Sequence, residues 1–404
     1  MNIDELPREA ALQLVGRLKQ GRNVVFGAGF FSVGRESWVS GAEQVLSDIE
    51  VTGDSVVRFI RGDYGVGKTN FAARLFEKAL LRGWAGAYIE LSDNVMLHEF
   101  HQVFAQVCDK LYLPEQLDYS NGISIRPGGA CGALESFYKR TRAAIGLGPG
   151  ADLSTSARTD ILCRVNSLLH HSHIFGDFAA AVRLYFEGRL DGIQEHRLLA
   201  ERWFRADPDA RILGVLRPVT RLNGKDHLRS LSALLCNLGY GGTLIIIDEL
   251  ERIMEESRIR RRKSYTILRE LIDNVDGENG MKRCCLYAAA PPGQYESTTG
   301  FIEVDALASR IQAPVLVHGP TDYTAAIVDL DSAPLSIEHQ VKLAKNIRCL
   351  HGRARQWNGN KTLNDAALVS LVKEINSKRT LGRLRVRELC IELVAALEGA
   401  HANA

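Results

Sequence analysis

The sequence predicts an α/β protein: a parallel five-stranded core, split by a large helical insertion and followed by a helical C-terminal region. Three observations carry that prediction. A β-branched and aromatic run, "SVVRFIRG", leads through a glycine-rich loop into an amphipathic helix, and a second apolar run, "GGTLIIIDEL", ends in two acids. Most of the chain between and after these runs has helical periodicity.

Taken in order, residues 1–52 read as a helical segment. "PREAALQLVGRLKQG" places Ala11, Leu12, Val15 and Leu18 at helical spacing, and "SGAEQVLSDIE" gives a second helix that Gly53-Asp54 ends. The core takes residues 53–94 and 238–320. Its first strand is "SVVRFIRG"; the helix "NFAARLFEKALLRG" stops at Gly83, and "WAGAYIELSD" is the second strand. The third is "GGTLIIIDEL". A long helix over roughly residues 251–275 leads through "DGENG" to a fourth, "RCCLYAAAP", and "APVLVHG" reads as the fifth. Residues 95–237 form a mainly helical insertion, broken by "SNGISIRPGGACG" and "GLGPGADLSTSARTD", and residues 321–404 read as helical.

The bulk properties are those of an ordinary globular chain. At 404 residues it buries a substantial core, and a formal charge of +2 exerts no global pull on nucleic acid or membrane, so any basic surface is local. The eight cysteines include no CxxC pair, which excludes a zinc ribbon or a redox motif of that spacing. The start "MNIDELPREAALQL" has acids and no apolar h-region, and no run of about eighteen apolar residues occurs. These features set the expectation of a cytoplasmic protein with no membrane partner.

The chemistry concentrates in two places. "FIRGDYGVGKTNF" fits the P-loop pattern G-x-x-x-x-G-K-[ST] through Gly62, Gly67, Lys68 and Thr69, with Gly65 as an additional glycine. A phosphate chain needs a concave ring of backbone N–H donors with no Cβ in the way, so Gly62, Asp63, Tyr64, Gly65, Val66, Gly67, Lys68 and Thr69 are the expected ATP cradle. Lys68 supplies a cation to the β- and γ-phosphates, and the Thr69 hydroxyl is placed to ligate Mg²⁺. In "TLIIIDEL", a buried strand delivers Asp248 and Glu249 at its C-terminal end, where parallel sheets bind ligands. Asp248 is the expected Mg²⁺ partner, and Glu249 the residue that orients the attacking water. Lys68 and Asp248 stand 180 residues apart, a separation the insertion accounts for.

Three blocks, "VRFIRGDYGVGKTNFAARLFEKALLRGWAGAYIELS", "LGYGGTLIIIDELERI" and "RRKSYTILRELIDN", resemble the ATP-binding proteins of the BrxD type, a P-loop family met in bacterial anti-phage systems such as BREX. That family resembles AAA+ ATPases of the origin-recognition kind. The resemblance implies an AAA+-like ATPase core, a C-terminal helical lid over residues 321–404, and action in an oligomer or on a partner such as a helicase, methyltransferase or nuclease. It also implies that "VGRE", residues 33–36, lies near the adenine, with a helix-capping turn as the alternative. Arg310 stands where such proteins often place an arginine finger. Arg383 and Arg387 share a helix face, and Arg383 is the candidate lid arginine that touches nucleotide. The fourth strand departs from the pattern: Ala288, Ala289 and Ala290 stand where a Thr or Asn helps to position water, which implies slow turnover.

Outside these blocks, "RIRRRK" is the densest basic run. Arg258, Arg260, Arg261, Arg262 and Lys263 are a candidate contact for nucleic-acid phosphates, while Glu251, Glu255, Glu256 and Glu270 are candidate intramolecular partners. "HHSH", residues 170–173, has no further metal ligands at defined spacing and reads as a helix end. The expected function is an ATP-hydrolysing switch or motor serving a DNA-directed defence complex. The alternatives are a nucleotide-gated interaction module with negligible hydrolysis, and a DNA-binding protein whose oligomeric state ATP sets.

Overall fold

A computed structural model describes residues 2–148, 150–170, 173–273, 280–311, 321–377 and 386–403 of the chain. Its strands are β1 (Val56–Arg61), β2 (Ala85–Glu90), β3 (Leu111–Tyr112), β4 (Thr243–Asp248), β5 (Cys284–Ala290) and β6 (Ile327–Asp329). They form one sheet in the order β3-β2-β4-β5-β1-β6, parallel throughout except for the β2–β3 pair. The register pairs Glu90 with Asp248 and Arg61 with Ala290, so four parallel strands end together at one edge.

Both faces of the sheet are covered, which is why β4 and β5 read as unbroken apolar runs. Leu244, Ile246, Cys285, Tyr287 and Ala289 turn to one face. There they pack with the N-terminal helices Arg8–Lys19 and Glu36–Thr52, the helix Lys68–Leu81, and the C-terminal helices Ile337–Arg355 and Val386–Ala402. Ile245, Ile247, Leu286 and Ala288 turn to the other, against the insertion helices and the helix Arg258–Asp273. The strict alternation makes each strand a double-sided wedge between two apolar clusters.

One buried carboxylate joins separate parts of the chain. Glu77, on the helix after the glycine loop, accepts from the N–H groups of Gly27 and Gly29 and from the Tyr119 hydroxyl. Burial pushes its carboxyl upward from the usual range, against the pull of those donors.

Several elements differ from the sequence reading. Among the described residues the sheet has six strands, two of which the sequence reading did not name. Ile327–Asp329 lies in a stretch read as wholly helical, and it pairs with β1 through Phe59, Ile60 and Arg61. "APVLVHG", read as the fifth strand, falls within residues 312–320, outside the described residues. The insertion, read as mainly helical, contributes Leu111–Tyr112 to the edge beside β2. Strands of two and three residues are too short to display an alternating pattern. The long helix after β4 is two helices, Arg252–Glu255 and Arg258–Asp273, because Glu256 adopts an extended conformation. The second N-terminal helix begins at Glu36, ahead of the quoted run.

Candidate functional site

The loop of residues 62–67 connects β1 to the helix Lys68–Leu81, and its glycines have separate structural reasons. Gly65 and Gly67 have φ of 76° and 106°, values that side chains other than glycine rarely adopt. A Cβ on Gly62 would stand 2.6 Å from the Val66 side chain. The N–H groups of Gly65, Gly67, Lys68 and Thr69 donate to no acceptor among the described residues. The result is a set of free donors around the start of a helix, the arrangement that attracts an anion.

Within this loop the Lys68 ammonium is held in reserve: Nζ donates to the Gly62 carbonyl at 2.8 Å and lies 5.1 Å from the centre of the Tyr64 ring. The loop is braced from three sides. Gly62 N–H donates to Ala290 O at 3.3 Å, Asp63 N–H to Asp331 Oδ2 at 3.0 Å, and Val386 N–H to Gly65 O at 3.0 Å. The last of these joins the C-terminal helix Val386–Ala402 directly to the loop.

At the tip of β4, Asp248 is buried and takes three hydrogen bonds. Oδ2 accepts from Thr69 Oγ1 at 3.1 Å and from the Tyr88 hydroxyl at 2.6 Å, and Oδ1 accepts from the Glu249 N–H at 3.0 Å. Burial foremost, and then the Asp248 charge, raises the Tyr88 phenol well above its ordinary range, so Tyr88 stays a donor. Glu249 follows with φ of 60°, a left-handed conformation that costs about 1–2 kcal/mol for a residue of this type. That turn takes Glu249 off the line of the strand and against the same cavity as Lys68. Glu251 lines it too. Its carboxyl is pushed upward, first by burial and then by the Glu249 charge, with Lys68 pulling the other way.

The cavity at this edge has a volume of about 240 Å³. Lys68, Thr69, Asp248 and Glu249 form its polar end; Leu18, Val24, Phe31, Leu343 and Cys390 line it as well and give it an apolar part. Val33 and Arg35, from the "VGRE" segment, are on its wall. Arg35 has φ of 62°, donates from Nη2 to Leu330 O at 3.4 Å, and leaves a buried Nε without a partner. Burial lowers its guanidinium to about 10, with Asp331 opposing the shift. A Cβ on Gly67 would lie 3.1 Å from Arg35 Nη1, so that glycine also makes room for a cation.

The BREX system ATP-binding protein BrxC/D family model matches residues 6–403. The chain belongs to that family. No curated protein and no solved structure matches it.

In this BrxC/D-family chain, the eight loop residues and the two strand-tip acids converge, except that Gly62 and Asp63 stand behind the cavity wall as braces. Arg310 is elsewhere. It sits on the helix Asp305–Ile311, pairs with Asp273, and donates to Ala306 O at 2.5 Å. Arg383 falls outside the described residues; its companion Arg387 lines the cavity and donates to Asn23 Oδ1 at 3.1 Å. Of the acids named for the basic run, Glu251 lines the cavity, Glu255 pairs with Arg252, Glu256 meets His98 and Ser264 through its carboxylate and Arg261 through its backbone carbonyl, and Glu270 pairs with Lys225. Glu303 pairs with Arg258 and Arg261 instead. In "HHSH", residues 171 and 172 lie outside the described residues.

Tyr88, Arg35 and Glu251 are site residues that the sequence reading missed. Tyr88 sits inside an apolar strand and reads as core. Arg35 had a signal, its place in "VGRE", but nothing in the letters shows a buried guanidinium.

Proposed function

We propose that the chain is an AAA+-like ATPase that binds ATP with Mg²⁺ in this cavity and acts as a switch or motor in an anti-phage defence complex, on DNA or a DNA-processing partner. Family membership supports ATP binding and the defence context. The 3.1 Å contact between Thr69 Oγ1 and Asp248 Oδ2 carries the rest, because it unites a phosphate-type loop with an acidic strand tip across 179 positions of sequence. A parallel sheet in which β5 separates β1 from β4, and a C-terminal helix bonded to the loop, support the AAA+-like reading.

A magnesium ion suits the donor set. A hydroxyl and a carboxylate converge as hard oxygen ligands, leaving the other positions for water and phosphate. Thr69 and Asp248 are the residues that hold it, and when bound it neutralises charge on the β- and γ-phosphates. The free loop N–H groups hold the phosphate chain, and Lys68 leaves the Gly62 carbonyl for the phosphate oxygens. Glu249 accepts a hydrogen bond from water and aims it at the γ-phosphorus. The water oxygen bonds to phosphorus, the bond to the β–γ bridging oxygen breaks, and ADP, phosphate and a proton result.

Radiolabelled ATP tests this directly. Glu249→Gln lowers phosphate release by ~100-fold or more while ATP binding is retained. Equal release from the two proteins removes Glu249 from the role. The alternative of a nucleotide-gated module rests on one feature, the side-chain-poor β5 tip of Ala288, Ala289 and Ala290, all fully buried. It is favoured if the unaltered protein binds ATP and releases no phosphate.

A further inference from the structure

Within the insertion, residues 211–222 form a projection unlike the rest of the fold. Ile212 and Leu216 exchange hydrogen bonds of 3.0 and 2.9 Å, closing a tight hairpin whose tip is Leu213-Gly214-Val215. Gly214 has φ of 75°, which the turn requires. Leu213 is 102% exposed and Val215 61%, and a few residues on Leu222 is 82% exposed. Large aliphatic side chains so fully in water contribute nothing to folding, and grouped within ten residues they mark an interaction surface. The base, in contrast, is fixed. Leu216 and Val219 are buried, Trp203 Nε1 donates to Arg217 O at 2.7 Å, and Asp177 accepts from both Arg217 N–H (3.1 Å) and Arg217 Nε (2.9 Å).

Cations flank this tip. Arg211 and Arg221 are exposed and have no carboxylate partner among the described residues. The Lys225–Glu270 ion pair then ties the start of the next helix, Gly224–Asn237, to the helix Arg258–Asp273. Lys263 and Arg262 precede Glu270 by seven and eight positions, so they share its helix face, and Arg260 lies one turn earlier. These three are exposed and likewise have no carboxylate partner among the described residues. The helix opens on cations, with no acid in its first turn, where the backbone dipole favours acids. Helix stability therefore does not explain them.

We infer that the hairpin and the basic helix form one surface for duplex nucleic acid, in which Arg211, Arg221, Arg260, Arg262 and Lys263 contact phosphates and the Leu213-Val215 tip enters the minor groove. Unpaired cations are what a phosphate backbone selects, and a narrow aliphatic tip beside arginines has the form of a groove wedge. A single strand is the poorer fit. It binds through aromatic platforms, and the exposed apolar groups here, Leu213, Val215, Leu222 and Ile259, are all aliphatic. The inference extends past the basic run and does not rest on the nucleotide reading, since the surface shares no residue with the cavity.

Fluorescence anisotropy of the full chain with a labelled random-sequence duplex, in the absence of ATP, tests it. Five phosphate contacts give a log–log salt slope of about −4 to −5. Arg221→Ala and Lys263→Ala each lower its magnitude by about 1, whereas Leu213→Ser weakens binding at every salt concentration and leaves the slope unchanged. Circular dichroism melts confirm that the variants are folded. The inference is overturned by no binding at low salt, by a slope the arginine and lysine variants do not move, by preference for a single strand, or by capture of a polyglutamate peptide in place of the duplex. Because ATP is absent, failure here leaves the ATPase proposal standing, and failure of that proposal leaves this surface intact.

Discussion

The two faces of the sheet are covered by different parts of the chain and organised on different principles. Against the insertion, the packing around Trp203 is aromatic: Trp203 meets His227, Phe204 and Phe104 edge-on at 4.8, 5.4 and 6.0 Å between ring centres. Against the N- and C-terminal helices, the apolar cluster is interrupted by a cavity into which Arg35, Lys68, Asp248 and Glu249 project. One side is filled by apolar and aromatic side chains, with the two unpartnered ring nitrogens of His227 enclosed among them. The other keeps a donor-rich loop, an arginine with an unpartnered Nε and a carboxylate shared between two hydroxyls, all of which a ligand would complete.

The difference is open to test, beginning with the largest effect. Trp203→Ala on the packed side is expected to lower stability by about 3–5 kcal/mol in denaturant titration, with ATP affinity of the folded protein unchanged. Lys68→Ala should do the reverse: ATP binding weakens ~100-fold, the scale of a lost charge-assisted hydrogen bond, while the denaturation midpoint barely moves. Unchanged ATP affinity in that variant would refute the role given to the loop. Tyr88→Phe removes one of the two hydroxyls on Asp248, and the expected loss is ~10–100-fold in the Mg²⁺ dependence of nucleotide binding, with metal-free binding intact. The smallest effect is Glu251→Gln. The Glu251 carboxyl is raised in the fold, so the native state holds its proton more tightly than the unfolded chain does. Stability then falls as pH rises from the usual carboxylate value through the raised one, and the glutamine variant flattens that limb in melts across mildly acidic pH.

What was legible in the sequence follows the same physics. That Lys68, Thr69, Asp248 and Glu249 would meet at one cavity was legible because glycines at fixed spacing before a helix, and acids terminating a buried apolar strand, are conspicuous. Four of the strands were long enough, at six or seven residues, to show their character. Ile327–Asp329 and Leu111–Tyr112 were not: their strand state is imposed by the neighbouring β1 and β2 backbones rather than by their own pattern. Tyr88 escaped notice, and Arg35 was marked only through its place in "VGRE", because their meaning is tertiary. A tyrosine in a strand and an arginine before a helix acquire their roles only when Asp248 and the Gly67 loop are brought beside them.

The most direct measurement is the anomalous scattering of Mn²⁺ in crystals grown with a slowly hydrolysed ATP analogue. The account places the metal in contact with Thr69 Oγ1 and, directly or through one water, with Asp248, and the phosphates along the 62–69 loop. A metal or triphosphate bound in another cavity, with Thr69 and Asp248 still bonded to each other, would contradict it.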